Sequence, residues 1–256
     1  MMLPDPIDPP KQPLLEHLIE LRRRLIYSLL AILAGFIVSY LFAPQIYEFL
    51  VRPLALASGG EHRRLIYTGL TEAFITYVEL SLWTGCFLAF PVIASQLWMF
   101  IAPGLYKNER KAFLPFLLAT PVFFLMGAAM AYFVVFPLAW KFFLSFEIPA
   151  SAAGALPIQL EARVSEYLSL SMTVIFAFGL AFELPIALVL LARAGILSAT
   201  KLSSFRRYAI VLIFAVAAVL TPPDLVSMIS LALPMTLLYE LSIVGAKWME
   251  KRRVPN

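Results

Sequence analysis

Six apolar stretches punctuate this chain of 256 residues, over 25–43, 73–101, 112–136, 167–192, 208–220 and 225–244. A helix needs about 20 apolar residues to cross the roughly 30 Å hydrocarbon layer of a bilayer. No period-two alternation recurs along the chain, which argues against a membrane β-barrel. The pattern predicts an all-α polytopic membrane protein whose six transmembrane helices form a single domain over 14–246. Residues 1–13 hold five prolines and two aspartates and are expected to be a disordered tail, and 247–256 a short basic tail.

Several stretches carry interruptions. Pro91, Pro121, Pro137, Pro185 and Pro234 lie in or at the ends of apolar segments. Each lacks a donor for the preceding turn and tends to kink its helix. Bent helices form a curved, concave wall more readily than a tight bundle. The fifth stretch holds only 13 residues, roughly 20 Å of helix, so the bilayer is expected to thin there or flanking residues to snorkel. Thr221, Pro222, Pro223 and Asp224 alone separate the fifth and sixth stretches. That spacing predicts a tight hairpin in which the prolines end one helix and Asp224 caps the next.

Composition strengthens this picture: 61% of residues are hydrophobic and 14% charged, against about 25% charged in an ordinary soluble domain. Cys86 is the single cysteine, so no intrachain disulfide can form. Fifteen of the 20 lysines and arginines fall before the first stretch, after the second, after the fourth or after the sixth. The positive-inside rule then places both termini in the cytoplasm, in agreement with an even number of spans.

Signatures of enzymes are scarce. The two histidines, His17 and His62, sit in flanking segments predicted on opposite sides of the membrane. No metalloprotease helix, nucleophile elbow or glycine-rich phosphate loop is present, so no catalytic residue, metal or cofactor is assigned. Polar chemistry concentrates in three places instead. Residues 14–24, Leu-Leu-Glu-His-Leu-Ile-Glu-Leu-Arg-Arg-Arg, read as an amphipathic interfacial helix running into the first span, in which Glu20 and Arg24 are one turn apart and able to pair. Residues 100–111, Phe-Ile-Ala-Pro-Gly-Leu-Tyr-Lys-Asn-Glu-Arg-Lys, form a short loop dense in aromatic, turn and charged residues. The plain reading of each is a solvated helix or loop with basic retention charges. The third place is Glu183 inside the fourth span, where an ionisable group costs about 2.5–3.5 kcal/mol to insert and points to a function; a structural hydrogen bond to a neighbouring helix is the plainer account.

Five segments together resemble the TatC family of twin-arginine translocase subunits: His-Leu-Ile-Glu-Leu-Arg-Arg-Arg from His17, Phe-Ile-Ala-Pro-Gly-Leu-Tyr-Lys-Asn-Glu-Arg from Phe100, Ala-Tyr-Phe-Val-Val-Phe-Pro-Leu from Ala131, Phe-Gly-Leu-Ala-Phe-Glu-Leu-Pro from Phe178, and Leu-Thr-Pro-Pro-Asp from Leu220. Each is moderately specific alone, and their order and spacing match over residues 14–246. The resemblance implies a multi-pass protein of the bacterial cytoplasmic membrane. It would bind twin-arginine signal peptides at its cytoplasmic face and, with TatB-type and TatA-type single-span partners and other copies of itself, move folded proteins using the protonmotive force. It implies no nucleic acid partner.

Residue by residue, the resemblance assigns signal-peptide binding to Glu20, Glu109, Arg22, Phe100, Pro103, Leu105, Tyr106 and Lys107. It makes Glu183 the intramembrane acid, and Pro53, Pro222, Pro223 and Asp224 residues of the extracytoplasmic loops. Two carboxylates in a partly apolar groove suit an arginine pair, because a guanidinium fills a carboxylate with two parallel hydrogen bonds and an ammonium does not. Ala218 and Met228 depart from the family, whose members often carry polar side chains around that hairpin. The rival reading is a proton-coupled small-molecule transporter with Glu183 as its proton site. That predicts a second buried charge near the midplane, which the sequence does not offer.

Overall fold

The computed structural model describes residues 14–59, 64–105, 110–148, 156–193, 196–221 and 224–253, with side chains at all of these except 14, 101–105, 110–114 and 249–253. The described chain is helical, and its two isolated β-bridges, Ile66 to Arg163 and Ile148 to Ile158, lie in the connections. Helix α1 (Leu14–Leu41) joins the amphipathic segment and the first apolar stretch without a break. A helix that hydropathy did not signal, α2 (Ala43–Ala57), follows directly, opened by Pro44 in its first turn. Helix α3 is Glu72–Leu105 and α4 is Arg110–Met130.

The third apolar stretch runs further than its sequence suggests. A π-helical turn, Ala131–Val135, connects α4 to α5 (Phe136–Leu144), so that Lys141 lies within a helix. The Phe136 N–H donates to the Ala131 carbonyl five residues back. This wider turn precedes Pro137, whose ring would crowd an ordinary α-helical turn. Pro91, Pro121 and Pro234, by contrast, sit inside continuous α-helix.

The fourth stretch divides into α6 (Val164–Phe182) and α7 (Leu184–Arg193), with Glu183 at the joint. Pro185 has no N–H for the Ala181 carbonyl, and the Glu183 N–H closes a tighter bond to Leu180 O at 3.1 Å. A short α8 (Ala199–Ser204), capped by Ser198, leads into α9 (Arg206–Leu220) and α10 (Leu225–Arg253).

Among the described residues, five helical runs are long and apolar enough to cross a membrane: Leu15–Leu41, Glu72–Phe100, Pro115–Leu144, Val164–Arg193 and Leu225–Trp248. The fifth apolar stretch is the exception. At 15 residues, α9 is apolar but extends only about 22 Å.

Glycines let the helices approach closely. A Cβ on Gly35 of α1 would come within 2.6 Å of the Gly85 carbonyl oxygen of α3, and one on Gly85 within 2.5 Å of Phe36 N. Gly127 of α4 likewise faces the Phe178 carbonyl of α6. Such contacts replace the hydrophobic effect as the driving force between helices in lipid. Helix α10 packs on α7 and α9. The main core gathers Leu80, Val135, Phe136, Trp140, Leu168 and Phe178, while Leu25, Leu29, Leu33 and Ile37 of α1 stay exposed. A ridge of exposed aliphatic residues along a long helix is the mark of a surface solvated by lipid. An apolar cavity of about 520 Å³ opens between α2, α3, α4 and α6, lined by Phe49, Trp83, Phe87, Leu125, Tyr132 and Phe176.

Candidate functional site

The seam between α1 and α3 carries the candidate residues at the end where α1 begins. Two contacts close it there. The His17 ring stacks on Phe100 at 4.3 Å between centroids, and Arg24 Nη1 donates to Gln96 Oε1 at 3.4 Å. Both partners are one turn apart on α3, as Glu20 is from His17 and Arg24 on α1. Glu20 therefore lies between the two bridges, facing α3.

Its carboxylate is engaged. Arg24 Nε donates to Glu20 Oε1 at 3.0 Å, and Arg24 Nη2 donates to the same oxygen. The side chains are only 15% and 19% exposed. This is more shielding than a helix-surface pair enjoys, and shielding is what raises an ion pair above the weak exposed value. Arg22 is exposed, and the partner of Glu20 is Arg24. Pro103 and Leu105 fall in the last turn of α3, where side chains are not among those described. Tyr106, Lys107 and Glu109 lie outside the described residues, as do Pro222, Pro223 and the tail at 1–13.

Glu183 occupies a different depth. Both carboxylate oxygens are buried without a hydrogen bond. Thr120 of α4 is the neighbouring hydroxyl, but it donates to Phe116 O at 3.1 Å and accepts from Trp98 Nε1 at 3.1 Å. A hydroxyl has one proton to give, and Thr120 has given it to the backbone. The Phe124 backbone of α4 is the other polar group facing the carboxyl, so a structural role for Glu183 stands beside a functional one.

At the opposite end of the helices, Pro53 is buried inside α2. It has no N–H for the Phe49 carbonyl, which instead accepts from Tyr132 Oη at 2.7 Å. Asp224 caps α10: its Oδ1 accepts from Ser227 N at 2.6 Å, and its backbone carbonyl accepts from Met228 N at 3.2 Å. At the start of α3, Glu72 Oε2 accepts from Thr68 N at 2.8 Å and Gly69 N at 3.1 Å, while its Oε1 accepts from Ser165 Oγ at 2.6 Å.

Residues 16–234 match the family model for the Sec-independent protein translocase protein (TatC). The chain belongs to the TatC family. A TatC of Magnetococcus marinus is 51% identical over 243 residues, spanning 95% of this chain and 87% of the relative. The TatC of Escherichia coli is 40% identical over 93% of this chain and 89% of its own length. A solved structure, described as the crystal structure of the twin-arginine translocase receptor TatC, superposes with a TM-score of 0.76 at 39% identity, over 91% of this chain and 99% of that one. A TatC member of this kind is a multi-pass helical membrane protein, as the apolar helices require.

Within this TatC framework, three participants escaped sequence reading. His17 heads a motif of the family, and its ring serves as a stacking partner for Phe100. Gln96 is a lone polar side chain late in the second apolar stretch. Its pairing with Arg24 joins positions 72 residues apart, beyond any local pattern. Tyr132 lies within a quoted motif, and the signal available for it was Pro53, which must leave a carbonyl in need of a donor.

Proposed function

We propose that this TatC family member is the membrane receptor of a twin-arginine translocase, taking the arginine pair of an export signal on the carboxylates of Glu20 and Glu109. The observation that carries the reading is the placement of Glu20: a shielded carboxylate at the α1–α3 seam, already in contact with a guanidinium. A site that holds one guanidinium by geometry is suited to hold another. Phe100, one helical turn from Gln96, supplies the apolar wall that raises the strength of such a bond. Glu109 directly precedes Arg110, the first residue of α4, and chain continuity from α3 supports its assignment to the same side.

In this reading the protein sits in the bacterial cytoplasmic membrane with six spans and both termini in the cytoplasm, as the distribution of lysine and arginine supports. It works with TatB-type and TatA-type single-span proteins and with further copies of itself, drawing on the protonmotive force. The exposed residues Tyr208, Val211, Leu212 and Val219 of α9 support a helix-docking role for that short element. The test is crosslinking of an arginine-pair signal peptide to the purified protein. Capture is expected from the native chain and lost from the Glu20→Ala, Glu109→Ala double variant; equal capture by both overturns the assignment.

A further inference from the structure

Arg24 directs two of its three donor nitrogens, Nε and Nη2, at Glu20 Oε1 and the third, Nη1, at Gln96 Oε1, 3.4 Å away. A guanidinium from outside needs both carboxylate oxygens to form two parallel hydrogen bonds. With Oε1 held, it is limited to the other oxygen and meets a second cation at close range. We propose that Arg24 is an internal occupant of the Glu20 carboxylate which an incoming arginine must displace, and that this exchange sets the preference for arginine over lysine. The inference rests on the reading of Glu20 as the receptor carboxylate.

The exchange is chemically even. One guanidinium replaces another on the same acceptor, so the bonds broken resemble the bonds made, and release stays as accessible as capture. Arg24 does not lose all its partners when it leaves, because the Gln96 amide oxygen already accepts from Nη1 and remains as an acceptor for the departing group. An ammonium competes poorly in the same exchange. It is a compact, strongly hydrated point charge that cannot reproduce the planar fork. Arg24 therefore acts as a threshold: a lysine pair gives up more hydration than the single contact returns, whereas an arginine pair substitutes like for like. Neighbouring Arg23 carries the same charge but is exposed, which makes it a control for bulk electrostatics.

The experiment measures binding of two synthetic signal peptides, one with an arginine pair and one with a lysine pair, to the full chain in lipid nanodiscs. Arg24→Gln is expected to bind the arginine peptide about three- to tenfold more tightly, and to gain more for the lysine peptide, so that discrimination falls. Gln96→Leu, which removes the alternative acceptor, is expected to weaken binding of the arginine peptide. In a Glu20→Ala background Arg24→Gln should change neither affinity. The proposal is overturned if Arg24→Gln keeps its melting temperature and binds no better, or if Arg23→Gln gives the same gain. Should Arg24→Gln not fold, Arg24→Lys decides: a smaller gain in the same direction supports the exchange, and none overturns it. If Glu20→Ala alone leaves binding intact, the receptor assignment itself has failed, a result separate from any outcome at Arg24.

Discussion

The Tyr132 hydroxyl donates to the Phe49 carbonyl at 2.7 Å, the acceptor that Pro53 leaves without its helical donor, and the two rings stack at 4.3 Å. One bond thus ties α2 to the π-helical turn. Tyr132→Phe is expected to cost about 1 kcal/mol, since a part-buried carbonyl loses its partner. The source of the need is testable as well. Pro53→Ala restores an N–H to the helix, so Tyr132→Phe should cost less in that background. A double-mutant cycle on thermal unfolding in detergent measures the coupling, and additive effects would show that Pro53 and Tyr132 act separately.

Glu183 holds two buried oxygens without a hydrogen bond, at the joint where Pro185 interrupts α6 and α7. Such a group lowers stability, which makes it a candidate for function. Glu183→Gln is expected to retain part of the transport activity and Glu183→Ala to lose more, because the amide keeps hydrogen-bonding capacity. Neither variant should melt below the native protein, since each removes an ionisable group from within a span. Transport assays in membrane vesicles alongside melting curves check both statements; full transport by Glu183→Ala contradicts the first.

Much of this architecture is readable from hydropathy, and the exceptions have physical causes. The third apolar stretch ends at Phe136, next to Pro137. A π-helical turn absorbs the proline and the helix continues to Leu144. Helix α2 was missed because its 15 residues include Pro44 and Pro53 and fall short of a span. At the site, the Glu20–Arg24 pair follows from a spacing of one turn. The bridges to Gln96 and Phe100 depend on how α1 lies against α3, which no local pattern encodes.

The approach of α1 to α3 at Gly35 and Gly85 should therefore control the site from a distance. Gly85→Leu would drive a side chain into the Phe36 backbone. Overpacking of this kind costs about 1–3 kcal/mol. The two helices should part, separating Glu20 from Phe100 and Gln96. Disulfide trapping between cysteines placed at His17 and Phe100 reports the separation: efficient trapping in the native background should fall in Gly85→Leu, together with capture of an arginine-pair peptide. Unchanged trapping would mean that the seam tolerates the added side chain elsewhere.

Asp224 separates capping from charge. Its Oδ1 satisfies the Ser227 N–H at 2.6 Å, while its Oδ2 is buried without a partner. Asp224→Asn keeps an acceptor at the cap and gives the second position a donor, so the start of α10 should hold and the melting temperature should change little. Asp224→Ala removes the acceptor and should cost about 1 kcal/mol, within the range for lost N-caps. The loss should be local. Hydrogen exchange is expected to speed up at the Ser227 and Met228 amides in Asp224→Ala and to remain slow in Asp224→Asn. If both variants exchange alike, the negative charge rather than the hydrogen bond holds the helix start, through its attraction to the positive end of the α10 dipole.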